Sequence, residues 1–60
     1  MFDLKAAREA AGMTQEQLAG KVGVTRQAIG QYETGINRPS VDVAKSIGKE
    51  LDFDWTLLYV

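Results

Sequence analysis

The 60-residue sequence contains no cysteine and no histidine, and each absence removes a class of function. Without cysteine there is no disulfide framework, and without either residue there is no zinc site of the usual kind. Acid–base or nucleophilic chemistry would fall to carboxylates, lysines or hydroxyls, in a chain too short to enclose a sizeable pocket. No enzyme is expected, and no cofactor or metal. Long apolar runs are missing too, so no segment is expected to span a membrane. Met1-Phe2-Asp3-Leu4-Lys5 lacks the charged start and apolar run of a signal peptide, which reads as a cytoplasmic protein. A basic excess is also absent. Seven Lys and Arg face eight Asp and Glu, a net charge of −1, and that total does not advertise a nucleic-acid partner.

What is present suits a compact fold. The chain is 45% hydrophobic with a single proline, which argues against disorder. A chain this short buries only ~60% of the surface its unfolded form exposes. Residues 1–60 are therefore expected to form one small domain, held by efficient local packing or by a second copy of itself.

Punctuation divides the chain into about five short helices, an all-α bundle without strand signals. The first runs from Asp3, a capping residue, to Ala11, with Leu4, Ala7, Arg8 and Ala11 facing inward and Gly12 stopping it. Thr14 and Gln17 form a Thr-x-x-Gln capping box that opens the second helix, whose buried stripe is Leu18, Ala19 and Val22. Gly23 sits where a left-handed residue is wanted. Thr25 then caps a third helix with Ile29 and Tyr32 inside, ending near Thr34-Gly35. Helix, glycine turn, helix is the helix-turn-helix layout. Pro39 biases Arg38 away from helical geometry, and Ser40 caps a fourth helix with the stripe Val41, Ala44, Ile47, Gly48 and Leu51. Gly48 costs about 1 kcal/mol against alanine, so close packing is its expected justification. Lys45 and Lys49 have acidic neighbours and are expected to form solvated pairs. A last short turn or helix starts near Asp54.

The segment Gln15 to Thr34 meets every physical requirement of a helix-turn-helix. Leu18 followed by the very small Ala19 lets a second helix cross closely. Gly23, flanked by Val22 and Val24, makes the turn and plugs the core. Ile29 and Tyr32 supply the inner face of the second helix. On these residues, together with Asn37-Arg38-Pro39-Ser40, the chain resembles the Cro/Xre-like helix-turn-helix family of phage repressors, restriction controllers and antitoxins. The resemblance runs from Leu4 to Leu58. It implies a lambda-repressor-like, five-helix DNA-binding domain that grips double-stranded operator DNA as a two-fold dimer.

The resemblance makes the third helix the recognition helix, its N-terminal end in the major groove. Arg26, Gln27 and Gln31 are then the base readers, since Gln pairs bidentately with adenine and Arg with guanine. Gln15, Thr25, Asn37 and Arg38 fall where the family touches the phosphate backbone. Arg8 and Glu33 match positions that form a partly buried salt bridge, so Arg8 is kept off the DNA. Gly30 departs from the pattern, standing where a longer polar residue is common.

The chain end from Phe53 to Val60 is unusually apolar. Leu57, Tyr59 and Val60 exceed what one short helix can bury and are the expected homodimer contact. The function so implied is a transcriptional regulator, a repressor on a pseudo-palindromic operator. The alternative is an antitoxin-like helical interaction module in which DNA binding is secondary. Charge is polarised along the chain: residues 41–60 hold four acidic and two basic residues. Residues 20–39 hold Lys21, Arg26 and Arg38 against Glu33 alone.

Overall fold

The computed structural model describes residues 2–59, so the expected dimer-contact residue Val60 lies outside the described residues. Four α-helices and a closing 3-10 helix follow in order: α1 (Leu4–Ala10), α2 (Gln15–Val22), α3 (Arg26–Thr34), α4 (Val41–Leu51), then Trp55–Tyr59. There is no strand among the described residues. The chain is all-α, as the punctuation implied, and no described helix is long and apolar enough to cross a membrane.

Each α-helix starts on a side chain that accepts a hydrogen bond from the backbone three residues on. Asp3 accepts from Ala6 N–H at 3.0 Å, Thr14 from Gln17 at 3.1 Å, Thr25 from Ala28 at 3.1 Å and Ser40 from Val43 at 3.3 Å. Such caps contribute about 1 kcal/mol each. The capping box is complete, because Gln17 Oε1 also accepts from Thr14 N–H at 2.9 Å. Between α2 and α3, Gly23 adopts φ +78°, a conformation costly for any residue with a Cβ. The N–H groups of Gly23 and Val24 both donate to Ala19 O, which closes α2 and turns the chain within two residues.

Leu4, Leu18, Ala19, Ile29 and Ile47 form the buried cluster, one or more from each α-helix. α2 packs on α3 and α4, α1 on α3, and the 3-10 helix on α4. Gly48 explains that last contact. A Cβ there would stand 2.8 Å from Phe53 O and 3.0 Å from Trp55 Cβ, so only glycine lets the chain end fold back this tightly.

Three expectations from helical spacing are corrected. Val41 is 49% exposed rather than core, because it is the first residue of α4 and the neighbours cover the later turns, at Ala44, Ile47 and Gly48. Ala11 is exposed: α1 ends at Ala10, and Ala11 is its C-terminal cap with its N–H turned to the carbonyls of the last turn. Lys45 forms no ion pair among the described residues; its Nζ lies 5.5 Å from the Trp55 ring centroid, a cation–π contact. Lys49 is likewise unpaired there.

Candidate nucleic-acid interface

The exposed side of α3 follows from what its inner side must do. Ile29 is fully buried against the cluster and Tyr32 packs beside it. Helical geometry then turns Arg26, Gln27, Gly30, Gln31 and Thr34 outward. Arg26 and Gln27 are exposed in the first turn, while Gly30 and Gln31 are half-buried. Together with Gln15 from the start of α2 and Ile36 beyond α3, they line a shallow trough open to solvent.

Glu33, the only acid on α3, is removed from that surface. Its Oε2 accepts from Arg8 Nε at 2.6 Å, and the two side chains are 4% and 9% exposed. Arg8 Nη2 reaches Glu33 Oε1 at 3.5 Å, and Arg8 Nη1 donates to Met13 O at 2.8 Å. Glu33 Oε1 also accepts from Gln15 Nε2 at 2.9 Å. One buried guanidinium thus ties α1, the following loop and α3 together. The hydrogen bond to Glu33 raises the Arg8 pKa against the opposing effect of burial, so this cation is permanent.

The expected contact residues divide by what already holds them. Gln15 donates one amide hydrogen to Glu33, and the amide has a second to offer a phosphate. Thr25 Oγ1 accepts the capping bond from Ala28, which leaves its own proton to donate outward. Asn37 does not stand free: its Nδ2 donates to Gln31 Oε1 at 2.9 Å, joining an expected phosphate contact to an expected base reader. Arg38 is exposed. Leu57 is 39% exposed, while Tyr59 is half-buried and its hydroxyl donates to Pro39 O. Gly30 lines the trough, and a Cβ there would meet Gln15 Nε2 at an ordinary 3.6 Å. Sequence reasoning passed over Thr34 and Ile36, which line the same trough. The signal for Ile36 was an isoleucine in a loop otherwise made of Gly, Asn, Arg and Pro.

Comparison with known proteins gives the arrangement its context. Residues 4–58 match the model of a family described as Helix-turn-helix. An uncharacterized HTH-type transcriptional regulator, YqaF of Bacillus subtilis (strain 168), is 41% identical over 56 residues, 93% of this chain and 74% of its own. Another, Rv0474 of Mycobacterium tuberculosis (strain H37Rv), is 37% identical over 57 residues, 95% of this chain and 41% of its own. A third, from Methanothermobacter thermautotrophicus, is 48% identical over 44 residues, 73% of this chain and 64% of its own. The chain spans about three quarters of the first relative and less than two thirds of the other two. No solved structure matches. With helix, glycine turn and helix in place, and the match reaching from the first residue of α1 into the 3-10 helix, the protein belongs to the Cro/C1-type helix-turn-helix family.

Proposed function

We propose that the chain is a non-enzymatic, sequence-specific DNA-binding domain of a transcription regulator, acting as a repressor on a pseudo-palindromic operator. α3 enters the major groove, and Arg26, Gln27 and Gln31 read base edges. Gln15, Thr25, Asn37 and Arg38 touch the flanking phosphates, Asn37 while also holding Gln31. The observation that carries this reading is the polarity of α3: its guanidinium and amide groups face an open trough, while its one acid is turned inward and neutralised. Membership of a helix-turn-helix family whose named relatives are transcriptional regulators supports it.

The regulator works in the cytoplasm as a homodimer, its two recognition helices ~34 Å apart in successive major grooves. The exposed apolar side chain of Leu57 supports a second copy as partner, with Tyr59 and Val60 following it closely in the chain.

Selection of bound duplexes from a random DNA pool tests the reading as a whole. The expected result is an inverted repeat with half-sites about one helical turn apart. A pool that returns no shared sequence would overturn it and favour the helical interaction module instead.

A further inference from the structure

The loop that joins α3 to α4 is tied down at both ends and bare in the middle. At its start, the N–H groups of Ile36 and Asn37 donate to Gln31 O at 3.0 and 3.4 Å. At its end, Ser40 caps α4 by accepting from Val43 N–H. Arg38, between them, is exposed and makes no hydrogen bond or ion pair of its own among the described residues. A long cation on a free backbone would lose that freedom on meeting a phosphate and would bind the more weakly for it.

Two features remove that freedom. Pro39 has a fixed φ and biases Arg38 toward extended geometry, so the two residues form one stiff unit. What fixes the direction of the unit is Tyr59. Pro39 is buried between two exposed neighbours, so its carbonyl needs a partner from the protein. The Tyr59 hydroxyl donates to it, from 20 residues further along the chain. Close packing does not replace this bond: Arg38, Pro39, Leu57 and Leu58 line a hollow of about 80 Å³ where the loop faces the 3-10 helix. Tyr59 is held in turn by its ring, which meets Trp55 edge-on with centroids 6.0 Å apart. Trp55 is seated on α4, where Gly48 makes room for it. A line of contacts from α4 through Trp55, Tyr59 and Pro39 therefore ends at the Arg38 cation.

We propose that Tyr59 is a positioning residue for DNA binding: its hydroxyl, through the Pro39 carbonyl, aims Arg38 at a phosphate without touching DNA itself. The proposal rests on the reading of Arg38 as a phosphate contact. It gives the hydroxyl a duty apart from the apolar dimer contact expected of the same chain end.

The test uses the full chain and the duplex it selects, with each phosphate replaced singly by a methylphosphonate, which removes the charge and one acceptor oxygen. The phosphate of Arg38 is the one whose replacement weakens wild type and leaves Arg38→Ala unaffected. Wild type is expected to lose about ten-fold in affinity there, the effect of one hydrogen bond to a charged group. Tyr59→Phe keeps the ring and lacks only the hydroxyl; it is expected to lose only about two-fold there. At every other phosphate its losses should match those of wild type. In the free protein, the carbonyl carbon resonance of Pro39 should move on the same substitution, and an unmoved one overturns the proposal. So does a ten-fold loss by Tyr59→Phe at the Arg38 phosphate, whatever its affinity for the unmodified duplex, because a weaker fold or dimer lowers binding at all phosphates alike. If no phosphate separates wild type from Arg38→Ala, the phosphate contact falls and this proposal with it. A pool that returns no shared sequence overturns the DNA-binding reading on which both depend.

Discussion

Arg8 Nε stands 2.6 Å from Glu33 Oε2, and this one contact fixes the outer end of α3 to α1. Both side chains are nearly out of water, so removing one leaves the other buried without its counter-charge. Arg8→Met is expected to cost about 3 kcal/mol. That is a large share of the stability of a 60-residue chain, roughly 3–9 kcal/mol. Chemical denaturation measures it, and an unchanged midpoint would contradict the role. The double variant Arg8→Met/Glu33→Met should recover much of the loss, because an apolar pair leaves no orphaned charge. The contribution persists into the alkaline range. The raised Arg8 pKa keeps it in force below the ordinary arginine value, and it is lost only as pH rises through the folded one.

Two glycine-to-alanine changes, both inside helices, should move stability in opposite directions. Helix propensity favours alanine by up to ~1 kcal/mol at each position. At Gly30 the new Cβ makes ordinary contact at 3.6 Å, so Gly30→Ala should stabilise by about 0.5–1 kcal/mol. At Gly48 the Cβ would meet backbone at 2.8 Å, so Gly48→Ala should destabilise by about 1–2 kcal/mol despite its propensity. Thermal unfolding of the two variants decides it. Equal shifts would mean that the close approach of Phe53 and Trp55 to α4 is wrong.

The acid limb of stability has a local contributor at the chain end. Asp54 Oδ1 accepts from the Thr56 hydroxyl at 2.7 Å and from Thr56 N–H at 3.0 Å. These bonds, the hydroxyl's first, hold the Asp54 carboxyl below the ordinary aspartate pKa. A lowered folded pKa gives stability that is present above the unfolded value and lost as pH falls through the folded one. Carboxyl NMR titration should place the Asp54 midpoint below that of an unstructured aspartate, and Thr56→Ala should raise it. A normal midpoint would show that the bonds are not kept in solution.

Much of this fold was legible because its signals are local. The capping residues Asp3, Thr14, Thr25 and Ser40 announce helix starts by side-chain chemistry, and Gly23 announces the turn by its missing Cβ. What spacing could not give was where neighbours end. Val41 lies on the apolar stripe of α4, but whether its turn is covered depends on the packing of distant segments. The trough was partly legible: residues on the outer face of α3 follow from the period of the helix. The Gln31–Asn37 and Gln15–Glu33 hydrogen bonds were not, since they join side chains across a loop and between helices. Ile36 was hidden for the same reason. Only the closure of α3 onto Gln31 O brings a loop residue into line with the outer face of α3.

Affinity should depend weakly on salt for a DNA-binding protein. With Glu33 neutralised, Arg38 is the one cation among the residues assigned to phosphate contact. One such contact in each subunit of a dimer gives a slope of log K against log salt of about −2. Titration between 50 and 200 mM salt (ordinary assay conditions) checks it. A slope steeper than about −5 would mean that other cations reach the backbone, and Arg38→Ala should flatten the line further.

Base reading by the first turn of α3 is the central claim, and discrimination measures it most directly. The affinity of wild type, Arg26→Ala and Gln27→Ala is compared on the selected duplex and on a scrambled one of equal composition. Each substitution should lower the ratio of specific to non-specific binding by about 1–3 kcal/mol if its side chain makes a bidentate base contact. Binding to the scrambled duplex should change far less. Variants that keep the wild-type ratio, losing affinity equally on both duplexes or not at all, would contradict the assignment of α3 as the helix that reads DNA.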